Sequence, residues 1–518
     1  MNTRFASRVL PLQVFGWLCF SVQLAILKLH AADAMGFGVG GSNAELMRGP
    51  YLQSGTPHSV VVRWRTSIPA DSRIRYGTNL NNLNRIIVYA TQNTEHAVQL
   101  AGLLPDTKYF YAIGSAFTTL ASGPDYFFMT PPPGAKPTRI WVIGDSGTAN
   151  ANAQAVRDAY TNYAGSRYTD LWLMLGDNAY GIGADQEYQS AVFEMYPQML
   201  RQTVLWPTIG NHDTYSTGAD GRFPYLDIFT LPTNGEAGGV PSGTEKYYSY
   251  NYGNIHFAVL DAMSSDRSSN GPMCAWLRAD LAANTNDWLI AYWHHPPYTK
   301  GSHDSDFEPE LVEMRENVVP ILEAYGADLV LCGHSHSYER SCLLNGHYGH
   351  SSSLVPSNIV NTDPDGPYFK EFIGPAPNLG TIYAVAGSSG QIGGGPLNHP
   401  VMCVARNELG SLVLDIDGDR LEAKFLRETG VIDDYFSIIK GVDPLRITSI
   451  VISDDMLTLT WNSLPQNIYR VERATNLTAL AWTTISPSIQ GRPTSTSWSH
   501  SLRGAPANAF YRLSSFPD

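Results

Sequence analysis

Residues 139–145 read Arg-Ile-Trp-Val-Ile-Gly-Asp, an apolar run that closes on a glycine and an acid. Similar runs recur at 171–177 (LWLMLGD), 204–211 (VLWPTIGN) and 328–334 (DLVLCGH), and the run 287–294 (DWLIAYWH) ends on a histidine. Short apolar runs of this kind predict buried strands. Between them lie segments with apolar residues at helical spacing, namely 151–163, 189–201, 274–283 and 310–325. This alternation predicts an α/β fold with buried sheets over residues 137–441.

The flanking regions predict two further domains, as a chain of 518 residues requires. Residues 46–130 consist of short β-branched and aromatic runs between turn residues, which favours an N-terminal β-sandwich of the fibronectin III type. A Pro-Pro-Pro-Gly run at 131–134 predicts a linker. Residues 445–518 return to strand-like runs, at 447–452, 457–461, 468–472 and 510–513, and predict a small C-terminal all-β domain.

Composition excludes several classes of protein. Hydrophobic residues make up 43% of the chain, which is too many for a disordered protein. The 46 glycines and 33 prolines are more than a helical bundle would contain. The net charge is −13 and no basic run occurs, so nucleic acid is not an expected partner. An anionic ligand would need a local source of positive charge, such as a metal centre.

The first 34 residues have the pattern of a signal peptide. Arg4 and Arg8 precede an apolar stretch from Val9 to Leu27, and a small-residue site follows at Ala32–Ala34. We therefore expect a secreted or periplasmic protein with no stable membrane insertion once the signal is removed. The alternative is an uncleaved membrane anchor, because the stretch is nearly long enough to span a bilayer.

Removing the signal leaves four cysteines, for which three pairings are possible: Cys274, Cys332, Cys342 and Cys403. Cys332 lies inside an apolar run, which favours a buried free thiol there. None of the four shows the spacing of a structural zinc site.

Oxygen and nitrogen donors follow five of the predicted strands. They are Asp145, Asp177, Tyr180, Asn211, His294, His295, His334 and His336. The carboxyl ends of strands in an α/β fold meet in one crevice, so we expect these side chains to converge. A mixed set without thiolate suits Zn, Fe or Mn, and its size suits two ions that share a carboxylate. His334 and His336 would face the same side, whereas only one of His294 and His295 would face the metals.

The blocks around these donors resemble those of the purple acid phosphatases, a branch of the calcineurin-like metallophosphoesterases. The matching blocks are Gly144–Gly147, Gly176–Tyr180, Gly210–Asp213, Ala291–His294 and Gly333–Arg340. The resemblance extends to Arg48–Leu52 in the N-terminal domain and stops before the C-terminal tail. It implies the αββα sandwich of that superfamily.

The resemblance also implies a role for each donor. Asp145, Tyr180 and His336 would bind the first metal, Asn211, His294 and His334 the second, and Asp177 would bridge the two. A tyrosine ligand implies Fe(III) in the first position, with Fe, Zn or Mn as the divalent partner. His212 and His303 resemble the family's catalytic and substrate-contacting histidines, and either could protonate the leaving group.

Two positions depart from the family pattern. Ala291 replaces the usual valine, which should affect packing only, and Asp304 stands where plant-type members carry a second histidine. A carboxylate at residue 304 would repel a phosphate unless it is protonated or turned away. Outside the blocks, we expect Glu339 and Arg340 to form a structural pair and His347 and His350 to lie in a solvated loop.

The sequence thus predicts an exported acid phosphatase that hydrolyses small phosphate monoesters with a metal-bound hydroxide. One alternative keeps the metals but assigns phosphodiester or nucleotide substrates. Another is a cell-surface binding protein with a vestigial metal site, although the intact donor set argues against it. The C-terminal module could bind a surface or partner, or simply pack against the rest of the chain.

Overall fold

The computed structural model describes residues 44–364, 366–441, 445–463, 467–476, 482–492, 494–506 and 508–517. The expected signal peptide, residues 1–34, lies outside these residues. Within the described ranges, no helix combines the length and the apolar character that crossing a bilayer requires.

The N-terminal domain consists of strands β1 to β6. They are Leu46–Thr56, Ser59–Gly77, Arg85–Ala101, Lys108–Gly114, Thr119–Ala121 and Phe127–Met129. β2 is one long strand that includes two of the short runs expected from the sequence, and it pairs antiparallel with β1, β3 and β4. Its alternating side chains, among them Val62, Trp64 and Ile74, are buried in the domain core.

The central domain contains strands β7 to β22. In chain order they are Thr138–Ile143, Leu171–Met174, Leu205–Pro207, Tyr248–Tyr252, Ile255–Val259, Trp288–Tyr292, Leu329–Cys332, Tyr338–Ser341, Leu343–Leu344, Ile359–Asn361, Tyr368–Lys370, Ile382–Ala386, Met402–Arg406, Gly410–Asp417, Arg420–Arg427 and Ile432–Lys440. Its helices α1 to α7 are Ala151–Ala164, Asp185–Tyr188, Pro197–Gln202, Pro224–Ile228, Pro272–Ala283, Pro309–Glu313 and Val319–Ala324.

Two seven-stranded mixed sheets form the centre of this domain. One has the order β10-β11-β12-β13-β18-β14-β19 and the other β17-β22-β21-β20-β7-β8-β9. Alternate residues along β12 and the residue after it belong to different cores. Trp288, Ile290 and Tyr292 face the other sheet, whereas Leu289, Ala291 and Trp293 pack with α5 and α7. α1 packs on β20 and β21 of the second sheet. The layers are therefore helix, sheet, sheet and helix, which confirms the expected αββα arrangement.

Two of the expected helices are interrupted. The segment 189–201 forms a π-helical turn at Gln189–Phe193 and then α3, which begins at Pro197. The segment 310–325 divides into α6, a π-helical turn at Met314–Val318, and α7, which has Pro320 in its first turn. Proline lacks an N–H group and so favours the first turn of a helix, which explains where α3 and α7 begin.

Two expectations about side chains were wrong. Glu339 and Arg340 do not pair, because neighbouring residues of strand β14 face opposite sides: Glu339 accepts from Thr299 and Ser337, and Arg340 binds Asp434. His347 is buried rather than solvated, because its ring stacks on Tyr298 at 5.8 Å between centroids.

The described cysteines have one disulfide among them. Cys342, next to the end of β14, is bonded to Cys403 in β19, while Cys274 and Cys332 are buried free thiols. The expectation of a free thiol at Cys332 is confirmed. The bridge joins two neighbouring strands at the edge of the first sheet.

The C-terminal tail forms two three-stranded sheets. Its strands β23 to β28 are Ile447–Ser453, Met456–Ser463, Asn467–Ala474, Thr483–Gln490, Thr494–Ser501 and Phe510–Pro517. A separate small core, which includes Trp461 and Val471, lies within this module. The sequence predicted β23, β24, β25 and β28 but not β26 and β27.

Candidate metal centre

The donors lie where parallel strands end. β7, β8 and β9 run parallel in one sheet, and β12 and β13 run parallel in the other. The loops that follow them adopt unusual backbone conformations, with φ of 55° at Asp145, 50° at Asp177 and 67° at His334. Positive φ is uncommon for residues with a side chain and is often found at functional sites.

The glycines before these donors act mainly by leaving space. A Cβ atom at Gly210 would lie 2.2 Å from Oδ1 of Asp177, and one at Gly333 would lie 2.5 Å from Oδ2 of Asp145. Of the four glycines that precede these donors, Gly144, Gly176, Gly210 and Gly333, only Gly176 has a positive φ, at 89°. Most of the turning is thus done by the donor residues themselves, and glycine lets the chains approach.

Three donor atoms form a first group. The Tyr180 hydroxyl lies 3.0 Å from Oδ1 of Asp145 and 3.2 Å from Nε2 of His336. Oδ1 of Asp145 and Nε2 of His336 are 3.5 Å apart, so the three atoms form a nearly equilateral triangle. Ligands that share a cation through bonds of about 2.1 Å stand about 3.0–3.4 Å apart, which these distances resemble.

A second group is centred on the amide oxygen of Asn211. This Oδ1 atom lies 3.1 Å from Nε2 of His294 and 3.1 Å from Nδ1 of His334. The amide nitrogen of Asn211 donates to the hydroxyl of Tyr215 at 2.8 Å, which turns the oxygen towards the two rings. The Asn211 oxygen therefore faces two imidazole nitrogens at once.

The tautomer of His294 tests whether a cation fits this group. Nδ1 of His294 lies 2.8 Å from the carbonyl oxygen of Leu175, so the proton of a neutral ring is held on Nδ1. Nε2 then presents a lone pair to the Asn211 oxygen, and two acceptors face each other. A positive charge between them removes this repulsion, and the donor set fits a metal ion.

Asp177 lies between the two groups. Ligand atoms of Asp145, Asp177 and His294 all lie within 4.8 Å of one another, and Oδ1 of Asp177 is 3.4 Å from Nε2 of His294. The same oxygen accepts the backbone N–H of His212 at 2.9 Å. This position next to both groups is the one that a bridging carboxylate requires.

The electrostatics of the site follow from burial and from these carboxylates. Burial alone would lower the pKa of His294, but Asp177 and Asp145 raise it to about 9. These carboxylates thus favour a positive charge at Nε2, carried by a proton or by a metal ion that takes the proton's place. Burial acts against ionisation of Asp177, yet the contacts with His294 and His212 lower its pKa below the ordinary value. Burial lowers the pKa of His334 to about 4, so this ring is neutral, the form in which histidine binds metals.

The two expected catalytic histidines lie on either side of the donors. Nδ1 of His212 lies 2.7 Å from the carbonyl oxygen of Gly181, and its Nε2 lies 4.0 Å from Oδ2 of Asp177. The ring of His303 lies against that of His334, tilted by 32°, with 3.7 Å between centroids. His295 is buried with its ring 4.2 Å from that of His334, and its Nδ1 has no hydrogen-bond partner among the described residues.

Comparison with known proteins agrees with this arrangement. The family model for calcineurin-like phosphoesterases matches residues 138–338, and that for the N-terminal domain of purple acid phosphatases matches residues 48–130. The central domain therefore belongs to the calcineurin-like phosphoesterases, and the N-terminal domain is similar to that of the purple acid phosphatases.

Individual relatives support the same assignment. Purple acid phosphatase 15 of Arabidopsis thaliana is 30% identical over 280 residues, which cover 48% of this chain and 50% of that protein. An uncharacterized protein of Mycobacterium tuberculosis, Rv2577, is 28% identical over 368 residues, or 63% of this chain and 68% of its own. The chain therefore spans about half the length of the first of these curated relatives.

Solved structures share the fold. Purple acid phosphatase PPD1 from yellow lupin (Lupinus luteus) seeds superimposes with a TM-score of 0.59 at 18% identity, over 78% of this chain and 77% of that one. A structure of PhoD superimposes with a TM-score of 0.55 at 14% identity, over 76% of this chain and 87% of that one.

Several residues that sequence reasoning missed support the donors. Glu308 contacts His303 and His334, with Oε2 2.9 Å from Nδ1 of the first and 3.4 Å from Nε2 of the second. Burial would raise the pKa of Glu308, but its hydrogen bonds with His334, the backbone of Asp304 and His303 lower it to about 2. An acid just before a helix is common for electrostatic reasons, so its position before α6 gave no distinct signal.

A second missed residue, Asp213, joins the loops after β8 and β9. Its carboxylate accepts from the backbone of Gly210 at 2.8 Å, the side chain of Asn178 at 2.9 Å and the hydroxyl of Tyr188 at 2.5 Å. Asp213 stands beside His212 in the Gly-Asn-His-Asp block, and this adjacency was the only signal available in the sequence.

The departure at Asp304 is explained by a cation. Nζ of Lys300 lies 3.0 Å from both carboxylate oxygens of Asp304 and 2.9 Å from Oδ2 of Asp306. The charge of Asp304 is thus balanced inside its own loop rather than directed at the donor groups.

Proposed function

We propose that this protein is an exported phosphatase that hydrolyses phosphate monoesters at a binuclear centre of Fe(III) and a divalent metal. The observation that carries the proposal is the pair of donor groups with Asp177 between them. Its oxygen and nitrogen composition, with a tyrosine and no thiolate, supports iron with Fe, Zn or Mn. The signal pattern at residues 1–34 and the disulfide between Cys342 and Cys403 support export.

Two cations held by these residues would supply Lewis acidity, which lowers the pKa of the attacking water. In the reaction, an oxygen atom of water bonds to phosphorus and the ester P–O bond breaks. The alcohol leaves with a proton supplied by an acid of the site, and inorganic phosphate remains.

The two candidate catalytic histidines, His212 and His303, each have one ring nitrogen available for that chemistry. Nδ1 of His212 is held by the Gly181 carbonyl and Nδ1 of His303 by the Glu308 carboxylate, so in each ring Nε2 is left to face the substrate. We assign His303 to hold a phosphoryl oxygen or protonate the leaving alkoxide, and His212 to hold a proton beside Asp177. Asn211 and the ligand histidines are oriented before substrate arrives, because Tyr215, Leu175 and Glu308 hold their outer atoms.

The proposal is tested by metal analysis, a visible spectrum and a pair of substrates. We expect about two metal ions per chain, a visible absorption band that is lost in Tyr180→Phe, and faster turnover of 4-nitrophenyl phosphate than of bis(4-nitrophenyl) phosphate. A colourless, iron-free and fully active enzyme would contradict the ferric assignment. Preference for the diester would contradict the monoesterase assignment, and full activity of Asp177→Ala would contradict a metal-dependent reaction at this site.

A further inference from the structure

Four large apolar side chains are exposed on the loops that hold the donors. The exposed fractions are 51% for Ile182, 53% for Tyr215, 74% for Phe307 and 46% for Ile392. Each lies on a different loop, and each of these loops also carries a residue of the site. Exposed apolar side chains grouped at one place on a soluble protein often mark a binding site.

Hydrogen bonds fix the loop of Ile182 beside His212. The backbone N–H groups of Gly181 and Ile182 donate to the Glu187 carboxylate at 2.8 and 3.0 Å. The carbonyl oxygen of Gly181 lies 2.7 Å from Nδ1 of His212. Ile182 is thus directly bonded to a residue that contacts a candidate catalytic histidine.

Tyr215 and Ile392 lie close to candidate metal ligands. Tyr215 accepts a hydrogen bond from Asn211, and its ring lies 5.0 Å from that of His212. Ile392 follows Gln391, whose side-chain nitrogen lies 3.2 Å from Nε2 of His336. These two residues therefore stand beside different donor groups.

Phe307 belongs to the loop of the other candidate catalytic histidine. It directly precedes Glu308, which binds His303 and His334. Its ring makes an edge-on contact with His350, 6.0 Å between centroids, and otherwise faces solvent.

Positive charge is scarce on the same loops. Lys300 is the only lysine or arginine in residues 178–188, 211–217, 295–308 and 387–398. Its ammonium group is bonded to both Asp304 and Asp306. A second phosphate group on the substrate would therefore meet no uncommitted lysine or arginine on these loops.

Taking the proposed phosphatase function as given, we propose that its substrate is a monoester of an apolar or aromatic alcohol. The phosphate binds at the donor groups. The alcohol part rests on an apolar rim, formed by Ile182, Tyr215, Phe307 and Ile392. Esters that carry a second phosphate are poor substrates. Apolar contact near the reacting bond raises kcat/KM because it is kept in the transition state.

The test uses primary alkyl esters, whose leaving groups are chemically alike. The substrates are ethyl phosphate, 3-phenylpropyl phosphate and propane-1,3-diyl bisphosphate. We expect kcat/KM for the phenylpropyl ester to exceed that for the ethyl ester by about tenfold or more, with the bisphosphate below both. Equal values for the first two, or preference for the bisphosphate, would overturn the inference and leave the phosphatase function intact.

Three substitutions locate the effect. Ile182→Ser, Phe307→Ser and Ile392→Ser should each lower kcat/KM for the phenylpropyl ester by about three- to tenfold and leave that for ethyl phosphate within about twofold. Phe117→Ser removes an equally apolar side chain, 97% exposed in the N-terminal domain, and should change neither value. Unchanged selectivity in all three rim variants would overturn the proposal.

Binding without turnover separates the two hypotheses. 3-Phenylpropylphosphonate cannot be hydrolysed at phosphorus, and calorimetry should show that it binds about tenfold more tightly than ethylphosphonate, with a negative heat-capacity change. If no ester is hydrolysed but this preference is found, the proposed phosphatase function fails and the apolar rim stands. If the two phosphonates bind equally, the apolar rim fails.

Discussion

Glu308 places its Oε2 atom 3.4 Å from Nε2 of His334. The opposite ring nitrogen, Nδ1, faces the amide oxygen of Asn211 at 3.1 Å. A carboxylate at one nitrogen holds the proton there and leaves the lone pair of the other free. Glu308 therefore selects the tautomer of His334 that presents Nδ1 to a metal, although it does not belong to any of the blocks that carry the family resemblance.

The first prediction follows from this contact. Glu308→Ala should weaken binding of the more loosely held metal about 10- to 100-fold, as is usual for loss of a carboxylate partner of a ligating histidine. Competition with a chelator, followed by metal analysis, measures the effect. Glu308→Gln keeps a side-chain oxygen as acceptor and should lose less affinity for metal. Glu316 is exposed, and Glu316→Ala should leave the affinity for metal unchanged. An affinity for metal unchanged in Glu308→Ala would rule out this positioning role.

The second prediction concerns the carboxylate that joins two donor loops. Asp213→Ala removes the acceptor of Gly210, Asn178 and Tyr188 and leaves their donors buried, which costs about 1–3 kcal/mol for each group left unsatisfied. We expect a free energy of unfolding lower by about 3 kcal/mol or more and loss of bound metal. Tyr188→Phe removes one bond and should cost about 1 kcal/mol with metal retained. Denaturant titration and metal analysis measure the two effects. Equal losses of stability and of metal in Asp213→Ala and Tyr188→Phe would contradict the shared role of Asp213.

The arrangement of strand ends was predictable because it depends on local pattern and on one general rule. Apolar runs such as 171–177 and 328–334 are typical of buried strands in a sheet covered on both faces, and parallel strands bring their carboxyl ends together. The donors that follow those runs could therefore be assigned to one crevice before any coordinates were known.

Contacts between loops were not predictable in the same way. Glu308, Tyr215 and Asp213 act through loop conformations that no periodicity encodes, and Lys300 balances Asp304 through a turn of the same kind. The pairing of Cys342 with Cys403 depends on β14 and β19 being neighbours, which is a property of sheet order. Sequence spacing alone left three pairings open.

The third prediction concerns that disulfide. The bridge closes a sequence separation of 61 residues, and its removal should lower the free energy of unfolding by about 2–4 kcal/mol. Cys342→Ser with Cys403→Ser should thus show a reduced midpoint in thermal unfolding. A reducing agent should lower the midpoint of the wild-type protein towards that of the variant and leave the variant unchanged, because Cys274 and Cys332 are already free. A variant that loses further stability on reduction would contradict this pairing.

The last prediction links the N-terminal domain to the central domain through pH. Asp185, at the start of α2, binds the buried Arg48 at 3.0 Å and Arg65 at 2.6 Å, both from the N-terminal domain. Burial would raise the pKa of Asp185, but the bonds from Arg65 and Arg48 lower it from 3.8 to about 2. Since the folded pKa is depressed, the stabilisation is complete above about pH 4 and is lost as the pH falls towards 2.

Asp185→Asn should therefore unfold at lower denaturant concentration than the wild type at pH 6, and the difference should shrink at pH 3 and below. The side chain is 42% exposed, so screening by solvent reduces the expected loss to about 1 kcal/mol. Asp158→Asn is the matched control, because among the described residues that carboxylate binds only the neighbouring Arg157, and it is 52% exposed. It should change stability by less than about 0.5 kcal/mol at either pH. A difference between Asp185→Asn and the wild type that stayed constant from pH 6 to pH 2.5 would show that the ion pair contributes nothing through its charge, and that Asp185 acts only by shape.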